Sequence, residues 1–235
     1  MVVPFSSNAG QTLFATSHSS HINWRVIECA VPQQNACYCG PATLVTALSS
    51  IRATAGTGAA APGARTTTWL NQDQLFEGDT AKICTREQVL GHKIRTWSDG
   101  TEQREVRYSG MSLEEVTQVL ALHFPTAAWT YASDATEQDL EAWLLKAGGV
   151  PAIFNFLGAH LGLPLGGHFA IAGAFNAEAG RALILDPARH KVGWYWVRTR
   201  DLLEAMRKIR PGLERARGWI TVDHGTGKPE QPQTI

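Results

Sequence analysis

Cysteine is scarce in this sequence, and the patterns missing around it narrow the chemistry. Four cysteines, Cys29, Cys37, Cys39 and Cys84, stand in 235 residues. That is too few for a disulfide framework in a chain of this length. Cys37 and Cys39 are separated by a single residue, so there is no C-x-x-C of a zinc or thioredoxin site. An excess of one charge is missing too. Lys plus Arg is 21 and Asp plus Glu is 21. A chain that grips nucleic acid or anionic lipid usually carries a basic surplus, so neither partner is expected. No run of about 18 apolar residues suggests a membrane span. The opening "MVVPFSSNAGQTLF" lacks the basic and then apolar segments of a leader peptide. These absences describe a cytoplasmic protein with free thiols.

Forty-four per cent of the residues are hydrophobic and 18% charged, a composition that buries a large core without cross-links. The pattern predicts one domain over 1–222 and a disordered tail over 223–235. Helices dominate from about 33 to 147 and an antiparallel sheet from about 150 to 222, an α+β order. "GPATLVTALSSI" reads as a helix with Pro41 in its first turn and Leu44, Val45, Leu48 and Ile51 at helical spacing. "RVIECAV" near the start reads as strand-like. "RATAGTGAAAPGARTTT" is a connection or insertion. Short helices are expected after it, then a hairpin in "TWSDGTEQREVRY", where S-D-G is a turn signal. Ser112 and Glu115 form an S-x-x-E capping box ahead of a helix. A further helix carries Leu140, Trp143, Leu144 and Ala147 and stops at Gly148. "VPAIFNFL", "HFAIAGAFN", "RALILD", "GWYWVR" and "GWITVD" read as strands, with a helix in "TRDLLEAMRKI" capped by Thr199.

Chemistry concentrates in "QQNACYCGPATLV", residues 33–45. Cys39 stands at the start of the predicted helix, where the partial positive charge of the helix end favours a thiolate. A depressed thiol pKa is what a cysteine nucleophile requires. Gln33, six residues earlier, is placed to fold its amide back as an oxyanion donor, with Gln34 as its rival. His168 opens the strand "GGHFAIAGAFN", which alternation expects to place with Ala170 and Ala172 on one face. Asp186 ends the next strand. Should those strands pair through the turn at "NAEAG", the Asp186 carboxylate reaches the His168 ring and orients it. Singly, each residue has an ordinary explanation: a packed histidine, an Asp-Pro turn, a solvated glutamine. In the order Gln, Cys-Gly, helix, His on a strand, Asp on the next, they follow the papain-like layout.

Those residues resemble the phytochelatin synthase family. "QQNACYCGPATLV" is similar to its Gln-to-Cys spacing within A-Y-C-G. "NFLGAHLGLPLGGHFAIAGAFN" matches its N-F-L…G-G-H segment, and "ALILDPAR" its L-I-L-D-x-A-R. "LNQDQLF", "GMSLEEV", "WYWV…LLEAM" and "RARGW" follow in family order. The resemblance implies a papain-like fold and a γ-glutamylcysteine transferase acting on glutathione. Cys39 would attack the Cys–Gly amide and release glycine. The γ-Glu-Cys acyl-enzyme would then be resolved by water or by a second glutathione. It implies His168 as general base and acid, Asp186 as its orienter and Gln33 as the oxyanion donor. Asn155, Gly167 and Arg217 would contact the γ-glutamyl group, and Arg189 follows the aspartate. No cofactor is implied for acylation; cadmium or zinc would arrive as a thiolate complex with the substrate. A homodimer is compatible with the family. The chain departs from the family pattern at Gly158, where Arg is common, at Ala170, where Ser is common, and near Arg210, where relatives carry an acid. Cys37 replaces a small residue.

With no cysteine beyond Cys84, the sequence resembles the short bacterial form, for which hydrolysis is expected to outrun chain extension. Two other readings use the same residues. One is a cysteine peptidase similar to the double-glycine leader peptidases, which also read Gln, Cys-Gly, His and Asp-Pro. The other is a catalytically inactive thiol- or metal-binding relative, although no Cys/His cluster has metal-ligand spacing.

Overall fold

A seven-stranded antiparallel sheet organises the chain. The computed structural model describes residues 1–55, 71–91, 95–98, 103–106, 109–146, 150–209 and 216–222. The strands are β1 (Val3–Pro4), β2 (Arg95–Ser98), β3 (Gln103–Val106), β4 (Ala127–Tyr131), β5 (Ile153–Leu157), β6 (Gly167–Asn176), β7 (Arg181–Leu185), β8 (Tyr195–Arg198) and β9 (Gly218–Val222). The helices are α1 (Asn8–Ala15), α2 (Trp24–Cys29), α3 (Cys39–Ala55), α4 (Thr80–Ile83), α5 (Arg86–Val89), α6 (Leu113–Ala121), α7 (Glu137–Lys146) and α8 (Thr199–Arg207). The large sheet runs β1-β8-β7-β6-β5-β9-β4, while β2 and β3 form the separate expected hairpin. The architecture is α+β, as the order of elements predicts. β1 and β4 join the sheet from before residue 150, and neither is evident in the sequence pattern.

Two layers of helix cover the sheet. Ile153, Phe169, Ile171, Leu183, Leu185 and Trp196 face a core shared with α2, α3 and α6. Phe154, Ala170, Ala172, Ile184, Val197 and Trp219 face a second core with α7 and α8. β6 is therefore apolar at nearly every position rather than alternating. A bulge at Gly173 separates the pairs Ala172–Ile184 and Ala174–Leu183 and shifts the alternation by one residue. A Cβ on Gly173 would lie 2.8 Å from a Leu185 methyl, so the strands close there only around glycine.

α3 is buried all round from Cys39 to Ile51, beyond the single stripe its spacing suggested. Leu44, Val45, Leu48 and Ile51 each stabilise this packing by about 1.5–3 kcal/mol. Two of its buried hydroxyls turn back onto backbone: Thr46 donates to the Ala42 carbonyl (2.9 Å) and accepts from the Val31 N–H (3.2 Å), and Ser50 donates to the Ala47 carbonyl (2.8 Å). At α6 the capping box forms in both directions, Glu115 N–H to Ser112 Oγ (3.1 Å) and Ser112 N–H to the Glu115 carboxylate (2.8 Å).

Two local expectations are corrected. "RVIECAV" lies mostly in helix α2, because Asn23 caps it by accepting the Val26 N–H (3.2 Å) and Val26 and Cys29 are buried one turn apart. Thr199 is the first residue of α8 and not its cap; its hydroxyl instead meets the Glu137 and Glu141 carboxylates of α7 at 2.8 and 2.7 Å. Residues 52–55, read as the start of a connection, complete α3; the rest of that stretch, Asp99 and Gly100 of the S-D-G turn, Ala147, the Gly148 stop, Arg210 and the 223–235 tail lie outside the described residues. Among the described residues no helix is long and apolar enough to cross a membrane.

Candidate active site

The first turn of α3 meets the start of β6. Cys39 is the first helical residue and is 7% exposed. The turn before it is set by Asn35, whose side-chain oxygen accepts the Cys37 N–H (2.9 Å) and whose carbonyl accepts the Tyr38 N–H (3.2 Å). Gly40 lets the helix start close on Met111, because a Cβ there would lie 3.2 Å from its sulfur. The Cys39 sulfur is hydrogen-bonded to the His168 ring and to the backbone N–H groups of Phe169 and Gly40.

β6 and β7 are neighbours through the turn after Asn176, and this brings Asp186 to His168. His168 Nε2 bonds Asp186 Oδ1 at 2.8 Å, which leaves Nδ1 for the sulfur. His168 is 4% exposed and Asp186 1%. The Phe156 ring, opposite His168 across β5–β6, packs edge-on against the imidazole at 5.7 Å. Asp186 Oδ1 also accepts the Ala188 N–H (2.8 Å), and Oδ2 accepts the Tyr195 hydroxyl (3.1 Å). These donors offset the cost of taking the carboxylate out of water.

The electrostatics of the pair agree from both sides. Burial on its own pushes the Cys39 thiol up. The hydrogen bond and charge of His168, with the N–H groups of Phe169 and Gly40, outweigh it and hold the thiol below its ordinary value. Burial alone pushes the His168 imidazole down. Hydrogen bonds to Asp186 and Cys39, and the charge on both, reverse this, and its pKa is pushed up to about 10. The imidazole thus holds its proton at neutral pH beside a thiol whose ionisation its charge favours.

The remaining candidates divide into two groups. Gln33 is tethered beside the aspartate, its N–H donating to the Pro187 carbonyl (2.9 Å). Its side-chain Nε2 donates to the Asn35 carbonyl (2.7 Å), and its Oε1 is buried without a hydrogen-bond partner. Asn155 Nδ2 donates to the His168 carbonyl (3.1 Å). Gly167 precedes His168, and a Cβ there would lie 3.2 Å from Arg217 Nη2. Arg217 is 6% exposed and donates from Nη1 to the Lys208 carbonyl. Asn155, Gly167 and Arg217 thus gather at one end of β5, β6 and β9, beside the imidazole. Arg189 lies apart. It is exposed, with its guanidinium 4.8 Å above the Trp194 ring, and it lines a cavity of about 460 Å³ with Pro4, Phe5, Leu163 and Tyr195.

A family model described as phytochelatin synthase matches residues 1–219. The chain belongs to the phytochelatin synthase family. Two relatives from Arabidopsis thaliana are similar to it over a shorter stretch. They are named glutathione gamma-glutamylcysteinyltransferase 2 and glutathione gamma-glutamylcysteinyltransferase 1, and each is 40% identical over 63 residues. The match spans 27% of this chain and 14% and 13% of the two relatives.

Within this phytochelatin synthase family member, sequence reasoning missed two groups of residues. Tyr195 lies within "GWYWVR", which the sequence shows only as a strand, although a phenol on the inward face of a buried strand needs a partner. The Tyr38 hydroxyl meets Asp73 Oδ1 (2.5 Å) and accepts from Arg86 Nε (3.1 Å), which anchors the residue just before Cys39. Nothing in the spacing of 38, 73 and 86 announces that contact.

Proposed function

We propose that this protein is a cysteine-nucleophile enzyme that acts on glutathione, a γ-glutamylcysteinyltransferase that also hydrolyses. One observation carries the reading: a buried thiol held below its ordinary pKa by an imidazolium that is itself held by a buried carboxylate. The Cys39 thiolate attacks the Cys–Gly carbonyl, and the carbonyl π electrons move onto oxygen. Gln33 is the oxyanion donor in this reading, since its Nε2 carries a second hydrogen beside the one given to Asn35. The C–N bond breaks as His168 gives its proton to the leaving glycine nitrogen. His168, now neutral, takes a proton from water, whose oxygen attacks the thioester, frees γ-Glu-Cys and restores the thiolate–imidazolium pair. The amino group of a second glutathione competes with water and forms a new amide bond; water is the main acceptor in this proposal.

The end of the sheet beside His168 suits such a substrate. Glutathione carries two carboxylates, and Arg217 stands next to Gly167, which lets a ligand backbone approach. Cadmium or zinc would enter as a thiolate complex of the substrate. The test is intact-protein mass spectrometry after brief exposure to glutathione. A γ-Glu-Cys adduct on Cys39, absent in Cys39→Ala, supports the proposal. An adduct formed only from peptide substrates would favour a leader-peptidase-like activity. No adduct from either, with slow iodoacetamide labelling of all cysteines, would indicate an inactive relative.

A further inference from the structure

Asp186 is held from both of its oxygens, and only one of those holds belongs to the triad. His168 and the Ala188 N–H occupy Oδ1. Oδ2 takes the Tyr195 hydroxyl at 3.1 Å. Tyr195 is 3% exposed and sits on β8 opposite Ile184 of β7, so Asp186, two residues beyond Ile184, is its diagonal neighbour on the same face. The ring is packed into the core with α7 and α8, which fixes where the hydroxyl ends. We infer that Tyr195 is a positioning residue for Cys39: its hydroxyl locks the Asp186 carboxylate in the rotamer that holds the His168 ring against the Cys39 sulfur.

The physical reason is a count of donors. A buried carboxylate with one oxygen unpaired is desolvated without compensation, and turning that oxygen toward another donor would pull the other away from His168. Tyr195 prevents that by donating and cannot repel by ionising. Its phenol, raised well above its ordinary value by burial and then by the Asp186 charge, stays protonated across the working range. The titratable and charged groups around the carboxylate, among the described residues, are His168 from β6, Cys39 beyond it on α3 and Tyr195 from β8. Arg189, three residues on, is stacked over Trp194, and Arg217 packs beside Gly167.

The test is Tyr195→Phe, which keeps the ring and removes the donor. The primary readout is the pH dependence of Cys39 alkylation by iodoacetamide, followed by peptide mass spectrometry. It reads the ion pair directly and needs no substrate. The acid limb is expected to move to higher pH by about half to one unit, because an imidazole held less firmly by Asp186 lowers the thiol less. The kinetic readout rests on the glutathione reading: kcat falls about tenfold with KM within about twofold. A profile that superimposes on that of the parent, with kcat unchanged, overturns the inference. So does a variant that loses thermal stability while its alkylation profile stays in place, since that marks a purely structural role. Tyr195→Leu, which removes ring and hydroxyl together, separates these. It should move the acid limb as far as Phe does while costing more stability. If the parent alkylates with a depressed acid limb but does not turn over glutathione, the substrate proposal fails and the role of Tyr195 is still measured.

Discussion

Two aspartates in this molecule each meet a tyrosine hydroxyl and a cationic side chain, with opposite results. Asp186 joins Tyr195 and His168 with side-chain exposures of 0% for the acid and 5% for the imidazole. Asp73 joins Tyr38 and Arg86 with exposures of 47% for the acid and 50% for the guanidinium. The distances are close, 2.8 Å and 3.0 Å. In the buried cluster the imidazole is pushed up to about 10, so it keeps its proton at neutral pH. In the exposed cluster Asp73 is held below its usual value, first by Tyr38 and then by Arg86, but it was ionised at neutral pH in any case. An aspartate, a phenol and a cation shift a pKa far where water is excluded and give only anchorage where it is not.

The sharpest way to break this contrast is Asp186→Asn. The shape is kept and the charge is lost, so His168 is no longer held protonated; kcat should fall on the order of 10³-fold in steady-state assays. Unfolding stability should fall as well, because a buried network loses a member, by about 3–5 kcal/mol at most. Varying pH comes next. The thiolate–imidazolium pair forms as pH rises through the depressed thiol range and persists to about 10. Above that the imidazolium loses its proton and turnover drops, since no proton reaches the leaving amine. Iodoacetamide alkylation stays fast there, because the thiolate remains. The two profiles should therefore agree on the acid side and part on the alkaline side.

Much of the buried cluster is legible in the sequence. The apolar runs fix β6 and β7, the short turn between them fixes their pairing, and that pairing alone delivers Asp186 to His168. Cys39 is announced by the helix that follows it. The second oxygen of Asp186 is different. Tyr195 reaches it from β8, and the partner of a diagonal contact depends on register and rotamer, which residue spacing does not encode. β1 and β4 escape for a related reason: β1 has two residues, and β4 exposes Ala128 and Trp129 on a sheet edge, so neither shows an inward face. "RVIECAV" has the β-branched content of a strand, and only the cap at Asn23 and the packing on α3 decide for helix.

Smaller effects sharpen the contrast further. Gly167→Ala places a Cβ 3.2 Å from Arg217 Nη2 and 3.5 Å from its Nε, so the guanidinium must shift. KM for glutathione should rise about tenfold, with a lesser change in kcat. Asp73→Asn should be the mildest. Turnover should change less than about threefold, and adding salt should erase the difference, since the exposed pair is screened already.

β6 stands fourth among seven strands, as far from either margin of the sheet as a strand can be. Sheets come apart from their margins inward, so the histidine and the amide of Phe169 that greets the sulfur belong to the last part of the molecule to loosen. Reactivity of the thiol should then persist through every partial melting and vanish only with the final cooperative collapse, making this one sulfur a reporter of the whole fold.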